Sequence, residues 1–167
     1  MNIAGFYPDS IANGEGWRAV LFVSGCPHRC LGCHNPNTWD HQYGEPYNEQ
    51  DIFAKITENP LLDGLTLSGG EPLLYYKQLT SLVRRVKASG LNIWAYTGYT
   101  FEDILKRCES NKELEQFVAF IDVLVDGRFE IEKRNLQLRF CGSSNQRIIN
   151  IPVSLQKGQA VLYQLTS

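Results

Sequence analysis

Four short apolar runs, each stopping at a glycine, narrow what this chain can fold into. Ala19–Val23 stops at Ser24-Gly25, Leu65–Ser68 at Gly69-Gly70, Asn92–Thr97 at Gly98, and Phe120–Asp126 at Gly127. Helical spacing fills the gaps between them: Ile52, Phe53 and Ile56 within Asp51–Thr57, then Leu79, Leu82, Val83 and Val86 ahead of Gly90. A third helix is expected after Thr100, a capping residue three positions before Asp103, and a fourth over Leu114–Phe117. Strands alternating with helices predict an α/β fold, a mostly parallel sheet wrapped by helices with crossovers of one hand. Arg147–Ile151 is expected as a fifth strand. With 167 residues, 43% of them hydrophobic, and no linker-like tract, the prediction is a single domain over 1–167.

The formal charge of −2 leaves no basic footprint for nucleic acid, and no apolar run is long enough to span a bilayer. A small molecule and another protein are the expected partners. Five cysteines are an odd number for disulfide pairing, and with no secretory leader the chain reads as cytoplasmic and reduced.

Ligands of open α/β sheets bind at the carboxyl ends of the strands. The unusual residues fall there: the cysteine loop after the first run, Ser68-Gly-Gly-Glu-Pro72 after the second, Thr97-Gly-Tyr99 after the third and Asp126-Gly-Arg128 after the fourth. In the cysteine loop, Cys26, Cys30 and Cys33 are spaced Cys-x3-Cys-x2-Cys, with no fourth cysteine nearby. An iron–sulfur cube takes four cysteine ligands, one per iron, so three leave one iron open to hold a small molecule against an electron source. The weaker alternative is a small zinc knuckle completed by His28 or His34, which lacks the second ligand pair usual downstream.

Cys-x3-Cys-x2-Cys after one strand and Gly69-Gly70-Glu71-Pro72 after the next resemble the radical S-adenosylmethionine enzymes. That resemblance implies a full or partial (β/α) barrel, here a partial one. It also implies a 4Fe-4S cluster on Cys26, Cys30 and Cys33, with S-adenosylmethionine chelating the fourth iron. Cys33-His-Asn-Pro-Asn-Thr-Trp-Asp40 is similar to the glycyl-radical activating enzymes. Asn13-Gly-Glu-Gly-Trp-Arg18, Trp94-Ala-Tyr-Thr-Gly-Tyr99, Asp122-Val-Leu-Val-Asp-Gly-Arg-Phe129 and Gly142-Ser-Ser-Asn-Gln146 narrow this to the activators of anaerobic ribonucleoside-triphosphate reductase. The implied partner is the reductase's large subunit with its glycine loop, and the implied electron donor a protein such as flavodoxin. An activase for pyruvate formate-lyase is the runner-up within the enzyme class. A non-enzymatic electron carrier, with Cys141 closing the cluster, is the alternative outside it.

The resemblance assigns cofactor-binding roles along the rim. The backbone at Ser68, Gly69 and Gly70 is expected to meet the methionine amino group, with Glu71 either bonding that amine or capping the next helix. Gly32 stands where many relatives carry an aromatic residue, and its backbone could approach the adenine. Asp126 and Arg128 are candidates for the ribose hydroxyls and the methionine carboxylate, and Thr97 for one hydroxyl contact. His28 and His34 are expected to orient the loop or lie on the surface, because the reaction moves an electron and a hydrogen atom and needs no general acid. Cys108 reads as a helix-end cysteine without a chemical role.

Overall fold

The computed structural model describes residues 1–166. Seven strands form one sheet: β1 (Asn2–Ser10), β2 (Arg18–Val23), β3 (Glu45–Pro46), β4 (Gly64–Gly69), β5 (Asn92–Tyr96), β6 (Val123–Asp126) and β7 (Arg147–Asn150). Their order is β3-β1-β2-β4-β5-β6-β7. The centre from β2 through β4 and β5 to β6 is parallel, as the βα rhythm predicts. β1 and β3 add antiparallel on one side and β7 on the other, so the sheet is mixed. It stays open, with β3 and β7 as its edges, and a closed barrel is not what this chain builds.

Among the described residues four α-helices connect the strands, α1 (Glu49–Thr57), α2 (Tyr76–Ala88), α3 (Phe101–Cys108) and α4 (Lys112–Ala119), and a fifth, α5 (Ile151–Lys157), follows β7. Their starts are chemically marked. Asn48, Thr100, Asn111 and Asn150 each accept a hydrogen bond from the backbone N–H three residues on, which satisfies one of the free amides of a first turn. Gly158 ends α5 in the left-handed conformation.

One face of the sheet carries most of the packing. Leu21, Leu65, Leu67, Ile93, Ala95 and Leu124 are buried against helix residues such as Ile52, Leu79, Leu82, Ile104 and Phe117. Fully burying a side chain of this size contributes about 1.5–3 kcal/mol. The opposite face has only a small cluster, Trp94, Val123 and Val125, covered by Phe140, Cys141, Ile148, Tyr163 and Leu165. Helices therefore shield one side, while on the other Phe22, Ser68 and Tyr96 line surface hollows. Among the described residues no helix is long and apolar enough to cross a membrane.

Arg18 is completely buried at the start of β2. Its guanidinium donates to Thr66 Oγ1 at 2.7 Å and to the carbonyls of Glu15 and Leu65 at 3.0 Å, and lies over Trp94. Burial lowers its pKa to about 10. This is the amino end of the strand, opposite to the cysteine loop, so Gly14, Gly16 and Arg18 support the sheet's base and do not reach the carboxyl rim.

Candidate active site

The cysteine loop leaves β2 at Val23 and folds back on a 3-10 turn, Pro36–Trp39. Gly25 N–H donates to the Thr38 carbonyl at 2.7 Å and Cys26 N–H to that of Trp39 at 3.4 Å. Beneath it, Tyr75 donates its hydroxyl to the Ser24 carbonyl at 2.5 Å. A reverse turn then joins Cys30 to Cys33, closed by Cys33 N–H to Cys30 O at 3.1 Å. Gly32 occupies its third position at φ +77°, where a β-turn of this kind requires glycine, and a Cβ there would lie 2.6 Å from Ile131 Cδ1. Gly32 thus shapes the turn and is itself exposed, beside Cys33 of the cleft wall. Arg29 is also left-handed, at φ 48°, a conformation that for a residue with a Cβ is held by its surroundings.

Cys26, Cys30 and Cys33 are free, half-buried and line one cleft of about 170 Å³. Ser68, Gly69, Gly70, Thr97, Gly98 and Arg128 line it from the ends of β4, β5 and β6. Burial raises the Cys26 pKa, an effect partly offset by the amides of His28 and Arg29, so iron binding must displace a proton there. Through His34, Ser68, Tyr96, Phe129 and Gln146 the cleft continues into a hollow of about 390 Å³, on whose wall Cys141 stands. Burial, reinforced by Asp126, raises the Cys141 pKa to about 11. Together the two spaces are of the size that ligand sites commonly have.

Three of the expected contact residues have their polar groups engaged elsewhere. Glu71 is wholly buried, and its carboxylate accepts from Leu73 N–H (3.0 Å), Thr97 Oγ1 (2.9 and 3.0 Å), Gly98 N–H (2.8 Å) and the His28 ring (2.7 Å). Every lone-pair direction is occupied, which leaves none for a ligand amine. The same bonds commit the Thr97 hydroxyl, which also accepts from Tyr99 N–H at 3.1 Å. Asp126 is 1% exposed; it accepts from Phe101 N–H at 2.8 Å and from Arg147 at 2.5 and 3.1 Å. Gly70 N–H is likewise taken by the Val23 carbonyl at 2.8 Å. A Cβ at Gly69, where φ is +94°, would lie 2.5 Å from Val23 N and O.

Of the residues that hold the rim together, Arg147 carries no obvious sequence signal, while Gln146 closes the Gly142-Ser-Ser-Asn-Gln146 signature. Arg147 links Asp126 to Glu102, and the two carboxylates raise its pKa. Gln146 accepts from Gly142 and Ser143 N–H and donates to the Gly127 carbonyl. The Gly142-Ser-Ser-Asn-Gln146 segment is therefore held as a loop at the rim. His34 is exposed and tilted against Phe129.

The three thiols suit a cluster better than a single ion. Among the described residues no three His, Cys, Asp or Glu side chains converge on one ion position, as zinc would need. A cube, by contrast, takes its thiolates at separate corners. His28 is committed to Glu71. Trp39 Nε1, on a residue lining the same cleft, is buried with no partner, a donor suited to a sulfide.

Residues 12–149 match a family model described as a 4Fe-4S single cluster domain. The chain is 39% identical over 157 residues to the anaerobic ribonucleoside-triphosphate reductase-activating protein of Pasteurella multocida, covering 89% of this chain and 96% of that one. To the protein of that name in Escherichia coli K12 it is 38% identical over 154 residues, 87% and 96% of the two chains. To that of bacteriophage T4 it is 38% identical over 156 residues, 89% and 93%. With identity of this order running through nearly the full length of each relative, and with the cysteine loop inside the matched domain, the chain belongs to the family of anaerobic ribonucleoside-triphosphate reductase-activating proteins.

Proposed function

We propose that this chain arms an anaerobic ribonucleoside-triphosphate reductase by cleaving S-adenosylmethionine reductively and placing a radical on a glycine of that enzyme. The observation that carries this reading is the cleft itself. Three free cysteines from one loop share it with the glycine turn after β4, while Cys141 lines only the adjoining hollow. Cys26, Cys30 and Cys33 would hold a 4Fe-4S cluster. When bound, it supplies the electron that breaks a carbon–sulfur bond of the sulfonium, giving a 5′-deoxyadenosyl radical able to take hydrogen from a glycine.

The chain's own residues position and enclose. Ser68, Gly69 and Gly70 offer backbone at the cleft wall without side-chain bulk. Arg128, exposed where the cysteine cleft meets an outer groove, is placed to pair with a carboxylate. The cleft and the hollow beside it open to a polypeptide loop from outside and are closed to water once the partner docks. We read the open sheet as the partial-barrel arrangement of the radical S-adenosylmethionine enzymes, acting in the cytoplasm with a small electron-transfer protein such as flavodoxin. The test is anaerobic incubation of reconstituted protein with reductant, S-adenosylmethionine and the reductase. Release of 5′-deoxyadenosine together with a glycyl paramagnetic signal on the reductase is expected; cleavage with no signal on any reductase would overturn the assignment of partner.

A further inference from the structure

The side chain with the most protein partners near the cleft is Glu71, which does not line it. Glu71 sits at the junction of three strand ends. Its carboxylate takes the amide of Leu73 from its own 3-10 turn, the hydroxyl and amide of the Thr97-Gly98 turn after β5, and the His28 ring from the cysteine loop after β2. The His28 and Glu71 side chains are 3% and 0% exposed. His28 enters this position because Gly98 has no side chain: a Cβ there would lie 2.7 Å from His28 Nε2 and 2.8 Å from Cγ. Tyr99 closes the other side, edge-on to the imidazole with centroids 4.6 Å apart. The backbone amide of His28 lies beside the sulfur of Cys26. One residue therefore touches a ligand cysteine with its main chain and the strand junction with its ring.

We propose that His28 and Glu71 form a positioning pair that fixes the cysteine loop at a set distance from the glycine turn, and so sets how firmly the cluster is held and how well S-adenosylmethionine meets it. Neither residue touches the reacting atoms. This inference rests on the functional reading above for the identity of the bound groups. Mechanically, a loop anchored only at Val23 and on the Pro36–Trp39 turn would leave the middle of the Cys-x3-Cys segment free to swing; the ring–carboxylate bond ties it down there. Partners of this outer kind typically alter metal retention about 10–100-fold when removed.

The experiment uses reconstituted holoprotein and two substitutions at one position. His28→Phe keeps a ring between Gly98 and Tyr99 but has no N–H, whereas His28→Gln places an N–H near the site of Nε2. The readouts are the rate of iron release to a chelator, and the titration by S-adenosylmethionine of the reduced cluster's paramagnetic spectrum. His28→Phe is expected to release iron about tenfold faster and to require about tenfold more S-adenosylmethionine, and His28→Gln to stay within about twofold of wild type in both. Wild-type rates in His28→Phe, or a His28→Gln variant as impaired as the phenylalanine one, would overturn the pair. Should His28→Phe fail to fold by circular dichroism, Glu71→Gln carries the same reading: about tenfold faster release supports it, an unchanged rate overturns it. Iron release requires no turnover and no partner, so a failure of the reductase assignment shows separately, as absence of the glycyl signal with wild-type protein.

Discussion

Replacing Arg147 with methionine tests whether the outer rim is braced by charge. Arg147 makes two bonds to Asp126, at 2.5 and 3.1 Å, and two to Glu102, at 2.7 and 3.1 Å. The two carboxylates differ in their access to water. The Glu102 side chain is 59% exposed and regains solvent when the arginine is lost, so its share is small, within the 0–1 kcal/mol of surface pairs. The Asp126 side chain is 1% exposed and would keep only the Phe101 amide. Removing one partner of a buried pair costs about 3–5 kcal/mol, and because Arg147 is one-third exposed the low end applies, about 3 kcal/mol. With a urea slope of about 2 kcal/mol/M, the unfolding midpoint of the metal-free protein should fall by roughly 1.5 M. Asp126→Asn removes the buried charge, so the double variant should cost little more than Arg147→Met alone, a coupling of about 2 kcal/mol. Two single losses that add, with no coupling, would refute the argument that an unpaired buried carboxylate carries the penalty.

Alanine at Cys26, Cys30 or Cys33 should abolish iron retention and cleavage of S-adenosylmethionine, while Cys141→Ala keeps both; iron analysis and 5′-deoxyadenosine release check this, and cluster loss in Cys141→Ala would favour the electron carrier. Gly69→Ala combines a left-handed φ with a Cβ against the backbone of Val23, and should cost about 2–5 kcal/mol, read as a drop in thermal midpoint of the metal-free protein. The pKa values of Cys26, Cys108 and Cys141 are raised by burial, so the unfolded chain ionises first, and stability present below the ordinary thiol range is lost as pH rises through it. Thermal melts of the metal-free protein should therefore fall from about pH 9 to 11, and Cys141→Ala should flatten the upper part of that fall. An unchanged slope in that variant would count against a buried neutral thiol.

What the sequence made legible is what repeats locally. Glycines ending β2, β4 and β5 reveal the rim because a chain leaving a parallel strand must turn sharply, and three cysteines within eight residues announce themselves by spacing. β1 escaped because Gly5 and Pro8 interrupt its run and several of its residues stay exposed, so it has no buried stripe. α5 carried an Asn150 cap, Pro152 and a closing Gly158, signals that were readable but were hidden by the expectation of a strand through Ile151. Nothing local marks Arg18 as buried; its burial depends on Gly14 and Gly64, whose absent side chains make room for its Cδ and its guanidinium.

The roles of Glu71 and Asp126 were harder for a different reason. A carboxylate just past a strand faces either the ligand or the scaffold, and the choice is made by donors far away in the chain. Thr97 and Gly98 stand 26 and 27 residues beyond Glu71, His28 stands 43 before it, and Arg147 stands 21 beyond Asp126. A buried carboxylate with every lone pair filled is costly to redirect, since each protein donor released must find a new acceptor without water. On the function proposed above, that asymmetry leaves side-chain recognition at this rim to the Arg128 guanidinium and the three thiols, while the acids hold the loops that carry them in place.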